Sequence, residues 1–453
     1  MLDNFVNIDR ESGTAVWKQI YDSMRAALCG GAIAEGSRLP SIRDLSAELS
    51  VSRSPVENAY MRLLAEGFIE SRPKSGFFVS PFFQRQDDAG VTFAAERTPQ
   101  VIYDFRSGNI DSGTADIEMW RRHLRMALNM QTEIVSRGDP QGEPQLRRAL
   151  VEYCLTARGV KASWDRVVIS SGTQQLLTSL CRILGREGSI AIEDPGFAQG
   201  EQIFADFGWQ VRKHAAWETF TNEIPLFADC ALFADITSNM PQTSLSELSR
   251  RRGALLSWAR GSNGFILEDD YNGELRYLSR PLPSLQGMAP ERVIYLGSFS
   301  RLLLPSVRIA YMVLPGPLAA QAREKIRFYD QTASKVEQLA LAEYIRGRYL
   351  ERHLRRSRKI YQMKAKELLA ALAAVFGEKA AVSLYETSIS VKVSLKSVLS
   401  AAEAEMAATA YGAAAERIQD DGDGKISVSL SFAGIPREKI RPGVETFKRA
   451  WQV

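Results

Sequence analysis

The first eighty residues alternate short apolar stripes with polar breaks. Val16, Ile20, Met24 and the pair Ala27/Leu28 recur at helical spacing, predicting an amphipathic helix that Gly30 and Gly31 stop. Ser41 opens a second helix. Asp44, three residues on, completes a capping box, and Leu45 and Leu49 face inward. After the break SVS, Ser54-Pro55-Val56-Glu57 predicts a third helix, with serine as cap, proline first and Glu57 closing a second box. It carries Tyr60, Leu63 and Leu64 and stops at Gly67. Two short capped helices about four residues apart read as a helix-turn-helix, its second member on the groove side. FIESRPKSGFFVS then alternates apolar and polar residues around Pro-Lys-Ser-Gly, a two-stranded wing that completes a domain over 1–80.

Residues 81–101 lack periodicity and exceed the usual loop length, so they read as a linker. Beyond them the pattern is α/β. Strands are predicted at RVVIS (166–170), GSIAIED, ALFADI (231–236), GFILEDD (264–270) and RVIYLGSFS (292–300). Helices such as TQQLLTSLCRIL and 246–260 lie between them. That alternation predicts a largely parallel sheet with helices on both faces over 102–330. The remainder, 331–453, combines the basic helical run RYLERHLRRSRKIYQMKAKELLAALAAVF with the strands SISVKVSL and KISVSLSF, a smaller C-terminal α+β subdomain.

Composition narrows the class. The chain has 453 residues, 45% hydrophobic and 24% charged, a globular balance that excludes disordered and collagen-like classes and suits two or three domains. No apolar run has the roughly 18–20 residues of a membrane span, and MLDNFVNIDR lacks secretory-signal character, so a cytoplasmic location is expected. Cys29, Cys154, Cys181 and Cys230 form no CxxC pair, and His123, His214 and His353 are far apart. Reduced thiols and no metal site are expected. The net charge is +4, yet residues 1–80 hold nine Lys/Arg against ten Asp/Glu. Affinity for DNA in that segment must come from local placement. Ser52, Arg53 and Ser54 stand at the start of the recognition helix, Arg43 on the preceding helix, and Arg72, Lys74 and Gly76 on the wing, with Arg38 nearby.

Chemistry-bearing residues collect at the predicted strand ends, where open α/β sheets bind ligands. Ser171-Gly172-Thr173-Gln174-Gln175 follows a strand and opens a helix whose free N–H groups suit an anion. Glu193-Asp194-Pro195-Gly196-Phe197 puts an aromatic ring after the next strand; taken alone, Phe197 reads rather as a core residue. Asp269 and Tyr271 end another strand, and Ser298, Ser300, Arg301 and Arg308 follow the fifth.

LPSIRDLSAELSVSRSPVENAYMRLLAEGFIESRPKSGFFV resembles the winged-helix domain of GntR-type bacterial transcription regulators. The resemblance implies that Arg43, Arg53 and Gly76 contact operator DNA or shape the wing. DFRSGNID, SSGTQQLL, EDPGF, EDDYNGELRY and GSFSRLLLPSVRIAY resemble the aminotransferase-like domain (pyridoxal phosphate-dependent, fold type I) of the MocR/PdxR subgroup. That implies Gly172, Thr173, Gln174 and Arg308 around the cofactor phosphate and Phe197 stacked on its ring. Asp269 would face the pyridine nitrogen and Tyr271 the ring hydroxyl, in a head-to-tail homodimer.

The resemblance breaks at one decisive place. The family's S-x-S-K, whose lysine forms the Schiff base, is Ser298-Phe299-Ser300-Arg301 here. A guanidinium, with a pKa of about 12.5 or higher, stays protonated and cannot serve as that amine. Arg137, Gln199, residues 238–243 and Ser429 also depart from the pattern. The expected function is a sequence-specific DNA-binding transcription regulator. Its catalytically degenerate aminotransferase-like domain dimerises and senses a small effector: pyridoxal phosphate held without a covalent bond, or another anionic metabolite. The alternatives are an active pyridoxal phosphate-dependent aminotransferase with a DNA-binding module and a ligand-free scaffold.

Overall fold

The structure is a computed structural model that describes residues 6, 8–10, 12–73, 75–80, 101–106, 108–110, 113–185, 188–193, 197–214, 230–234, 245–262, 264–270, 273–277, 282–384 and 389–452. The chain divides into two compact units, Met1–Arg97 and Thr98–Val453.

In the first unit three helices, α1 (Val16–Cys29), α2 (Ile42–Glu48) and α3 (Arg53–Ala65), precede a hairpin of β1 (Ile69–Arg72) and β2 (Gly76–Val79). The apolar stripes meet in one core of Ile20, Met24, Leu28, Leu45, Val56, Tyr60, Leu63, Ile69 and Val79. Tyr60 packs edge-on to Phe77 at 5.0 Å, and its hydroxyl donates to the Pro40 carbonyl at 3.0 Å, tying α3 to the wing and to the loop before α2. The hairpin pairs Ile69 with Val79 and Arg72 with Gly76, and Arg38 bridges to Phe78 on its outer edge.

Two helix starts differ from expectation. α3 begins at Arg53 with Ser52 as its N-cap in extended backbone, φ −65° and ψ 163°, so Ser54 lies inside the first turn. Pro55 fits there because N–H groups of a first turn have no intrahelical acceptor to lose. Ser52 makes no side-chain capping bond. At α2 the Ser41 side chain does accept from the Asp44 N–H at 3.1 Å. The Asp44 carboxylate takes the Ser41 hydroxyl at 2.7 Å, and the return bond to the Ser41 backbone is not made.

The second unit opens with β3 (Tyr103–Phe105), α4 (Ile117–Leu128), α5 (Gln131–Ile134) and α6 (Pro144–Arg158). There follow β4 (Val167–Ser170), α7 (Thr173–Leu184), β5 (Ser189–Glu193), α8 (Ala198–Asp206), β6 (Gln210–His214) and β7 (Cys230–Ala234). Next come α9 (Leu245–Gly261), β8 (Phe265–Asp269), β9 (Val293–Ser298), β10 (Ala310–Val313), α10 (Gly316–Ile326), α11 (Lys335–Arg346) and α12 (Tyr349–Phe376). The C-terminal part holds β11 (Ala380–Leu384), β12 (Ser390–Lys396), α13 (Ala401–Ala410), β13 (Ala413–Ala415), β14 (Arg417–Gly422), β15 (Lys425–Ser431) and α14 (Arg437–Trp451).

Seven strands form one sheet in the order β4-β10-β9-β8-β7-β5-β6, parallel except for β10, which runs against both neighbours. Its central strands are buried, β8 from Ile266 to Asp269 and β9 from Val293 to Gly297, as a sheet covered on both faces requires. Two strands of this sheet were not anticipated. β6, Gln210–His214, is a polar edge strand without the apolar alternation that marks the others, and β10 is only four residues long. A four-stranded antiparallel sheet, β11-β12-β15-β14, makes the C-terminal layer, and β3 pairs in parallel with β13. One hydrophobic cluster runs from Leu146, Ile169 and Tyr311 through Leu354 and Tyr361 to Val393, Phe432 and Trp451. No described helix is long and apolar enough to cross a membrane, and no described His, Cys, Asp or Glu residues group as a metal site.

Candidate functional site

Arg53, Ser54, Glu57, Asn58 and Met61 are exposed on α3, opposite its buried Val56, Ala59, Tyr60 and Leu63. Asn58 and Met61 escaped the sequence reading. Subtracting the apolar stripe leaves 54, 58 and 61 at i, i+4 and i+7, a signal that was available. Such a face suits a major groove, where asparagine reads adenine edges and apolar groups meet thymine methyls. Ser52 and, on α2, Arg43 are exposed beside it. Arg72 is committed within the wing: it donates to Glu70 at 2.7 Å and lies over the Phe78 ring at 4.3 Å. Gly76 has φ +98°, a conformation that disfavours any side chain, with the Arg38 guanidinium 3.7 Å from where a Cβ would sit. Lys74 lies outside the described residues.

The second site gathers at the carboxyl edge of the large sheet. Because β10 is antiparallel, its first residue Ala310 pairs with the last residues of both neighbours, Ser170 and Ser298. The residues just before β10 therefore join those just after β4, β8 and β9. Gly172 caps α7 with φ +113°, and a Cβ on it would lie 2.7 Å from Nη2 of Arg308. Glycine is needed there twice, for the backbone and to admit the guanidinium to the helix N-terminus. Thr173 is half-buried and Gln174 exposed on the first turn. Thr332, unsuspected in the sequence and 161 residues distant, holds the approach: its hydroxyl oxygen accepts the Ser171 N–H at 3.0 Å and contacts the Ser170 hydroxyl at 2.8 Å.

Asp269 ends β8 with 8% of its surface exposed. Among the described residues nothing hydrogen-bonds its carboxyl. Burial, reinforced by the charge of Asp270, pushes that carboxyl up to about 7, and nearby Arg301 pulls it down. Arg301 is half-buried, and the Ser300 N–H donates to the Ser298 hydroxyl at 3.3 Å in the same turn. Phe197 caps α8, half-buried against the α7–α8 core and within 2.7 Å of where a Cβ on Gly200 would sit. Tyr271 lies outside the described residues. Of the departures noted above, Arg137 is exposed 3.4 Å from Asp330, Gln199 is exposed on α8 and Ser429 is half-buried in β15.

Behind this edge is a buried polar framework. Arg158 donates to Asp270 through Nε at 2.5 Å and Nη2 at 3.1 Å, and through Nη1 to the Leu282 carbonyl at 2.7 Å. Tyr295 donates to the same carboxylate at 2.7 Å, and Glu268 accepts the Leu285 and Gln286 N–H groups. Asp270 is thus fixed by partners, and Asp269 is the carboxyl of the pair that has no hydrogen-bond partner among the described residues.

A winged helix-turn-helix joined to a fold-type-I aminotransferase-like domain defines a class: the MocR/PdxR-type transcription regulators of the GntR family. The family model for bacterial regulatory proteins, gntR family, matches residues 17–79, and that for aminotransferase class I and II matches 101–229. The chain is 32% identical over 457 residues to the HTH-type transcriptional regulator YhdI of Bacillus subtilis, covering 98% of this chain and 97% of that one. It is 30% identical over 390 residues to the probable rhizopine catabolism regulatory protein MocR of Rhizobium meliloti, covering 80% and 78%. It belongs to this family, and its winged helix makes it a DNA-binding regulator. Among solved structures, the kynurenine aminotransferase of Pyrococcus horikoshii superposes with a TM-score of 0.66 at 22% identity, covering 78% of this chain and 91% of that one. An archaeal alanine:glyoxylate aminotransferase gives 0.68 at 19%, covering 77% and 90%. At such identities these establish the fold alone.

Proposed function

We propose that the aminotransferase-like domain is a non-catalytic sensor that binds a small anionic effector without a covalent bond. Arg301 carries the reading. It occupies the position where the family resemblance expects the cofactor lysine, and it sits close enough to Asp269 to lower that carboxyl's pKa. A guanidinium that keeps its proton neither attacks a carbonyl nor relays a proton at neutral pH.

The other residues support non-covalent binding of pyridoxal phosphate or a similar anionic metabolite. Asp269, buried without a hydrogen-bond partner among the described residues, suits a protonated ring nitrogen. The α7 N-terminus beneath Arg308 suits a phosphate. When bound to a lysine, pyridoxal phosphate supplies an electron sink for carbanion chemistry. Here Asp269 would orient the ring, the Gly172 loop and Arg308 would hold the anion, and Arg301 would add a second positive charge. The effector shifts the balance between two arrangements of a cytoplasmic homodimer, by no more than its difference in affinity for them.

The test is incubation with pyridoxal phosphate, borohydride reduction and peptide mass mapping. Wild-type protein is expected to bind the compound and release it on denaturation. Arg301→Lys is expected to retain it covalently on the peptide containing residue 301. Covalent retention by the wild type, or amino-group exchange between substrates, refutes the reading.

A further inference from the structure

The positive charge of this DNA-binding chain is not in its winged helix. Residues 1–80 have net charge −1, nine Lys/Arg against ten Asp/Glu, whereas α12 alone carries seven Lys/Arg and two Asp/Glu. All seven cations fall between Arg352 and Lys366, a stretch with no acid.

The structure separates these cations by role. Lys364 is buried and donates to the Ala433 carbonyl at 3.1 Å, and Arg358 donates to the Glu274 carbonyl at 2.6 Å. Arg356 is 3.8 Å from Asp116. Arg352 is exposed over the Tyr349 ring and, among the described residues, donates to the carbonyls of Gly347 and Arg348. Arg355, Lys359 and Lys366 are exposed with no ion pair or hydrogen bond among the described residues. At 3.6 residues per turn, Arg352, Arg355, Lys359 and Lys366 fall within a sector of about 60° over about 21 Å of helix. Leu354, Tyr361, Ala365 and Leu368 bury the other side.

An ordinary solvated helix face mixes signs, as α14 does, where Arg441 pairs with Glu445 one turn on. Here Arg355 and Lys359 are like charges at i,i+4, an arrangement that destabilises a helix, and no acid among the described residues pairs with either of them.

We propose that the exposed stripe Arg352–Arg355–Lys359–Lys366 is a second DNA-contacting surface, which neutralises backbone phosphates of duplex bound by the same chain. Duplex DNA is the favoured polyanion because the chain is a DNA-binding regulator whose winged helix lacks the net positive charge that phosphate binding draws on. The proposal rests on that assignment, and its test separates the two.

Full-length protein is titrated by fluorescence anisotropy against a labelled mixed-sequence duplex of about 40 base pairs, across roughly 50–200 mM salt; phosphate contacts are independent of sequence. In Arg355→Gln/Lys359→Gln/Lys366→Gln, the slope of log K against log salt is expected to become shallower by about 3, near one per lost contact. Arg355→Lys/Lys359→Arg/Lys366→Arg is expected to keep the wild-type slope. Lysine acetylation of wild-type protein supplies a measurement that needs no variant: saturating duplex is expected to protect Lys359 and Lys366. An unchanged slope in a folded glutamine variant, or equal acetylation with and without duplex, overturns the proposal. So does loss of binding to phosphatidylserine vesicles with the DNA slope intact, which would assign the stripe to a membrane. Failure of the wild type to bind duplex at all would instead overturn the DNA-binding assignment.

Discussion

Asp269→Asn tests whether the carboxyl at the sheet edge is held in place for a ligand at the expense of stability. The side chain is 8% exposed and has no hydrogen-bond partner among the described residues. Burial first, then the Asp270 charge, lift it from an ordinary 3.8 to about 7, with Arg301 opposing. An acid whose pKa is higher in the folded state binds protons more tightly when folded. Its contribution to stability is fully present below the unfolded pKa and is lost as pH rises toward 7. The whole lift corresponds to about 4 kcal/mol, and the part falling between pH 5 and pH 8 to about 3 kcal/mol. Asparagine keeps the shape and does not titrate. Any cost of burying its amide, about 1–3 kcal/mol, is the same at both pH values and cancels in the comparison. Urea unfolding is followed by tryptophan fluorescence, since six of the seven tryptophans lie in the second unit. The variant's stability relative to wild type is expected to improve by about 3 kcal/mol between pH 5 and pH 8. A constant offset across that range would refute the account of Asp269 as an uncompensated buried acid.

Other outcomes follow from the same geometry. Gly172→Ala forces a side chain onto a φ of +113° and within 2.7 Å of Arg308. It is expected to displace the guanidinium and weaken pyridoxal phosphate binding about tenfold or more, measured by equilibrium dialysis, an effect of about 1.4 kcal/mol. Arg158→Met leaves Asp270 buried without its counter-ion and is expected to cost about 3–5 kcal/mol in urea unfolding at pH 7. Restoring the match with Asp270→Asn in the same chain should recover part of that loss.

Much of this protein is written locally. The helix-turn-helix, its wing and α7 were legible because apolar spacing, cap residues and glycine stops act over three or four residues, within the reach of a sequence pattern. Even there, the start of α3 slipped by two residues, since Ser52 and Ser54 are equally good caps and only the backbone distinguishes them. The charge of the Arg301 side chain was equally legible, because a guanidinium keeps its proton in any fold.

Folding together distant segments decided the rest. Nothing local says that β10 runs antiparallel, yet that direction brings Arg308 to Gly172. The pairing of β3 with β13 spans most of the chain, and Thr332 reaches Ser171 from another element entirely. Asp269 and Asp270 are adjacent and chemically identical. The tertiary partners Arg158 and Tyr295 compensate Asp270, while Asp269 at the strand end has no hydrogen-bond partner among the described residues and feels the opposing charges of Asp270 and Arg301. Local sequence sets which residues are available, but burial and partnership are properties of contacts between segments far apart in the chain, and these bind one carboxylate into the framework and leave its neighbour buried without a hydrogen-bond partner among the described residues.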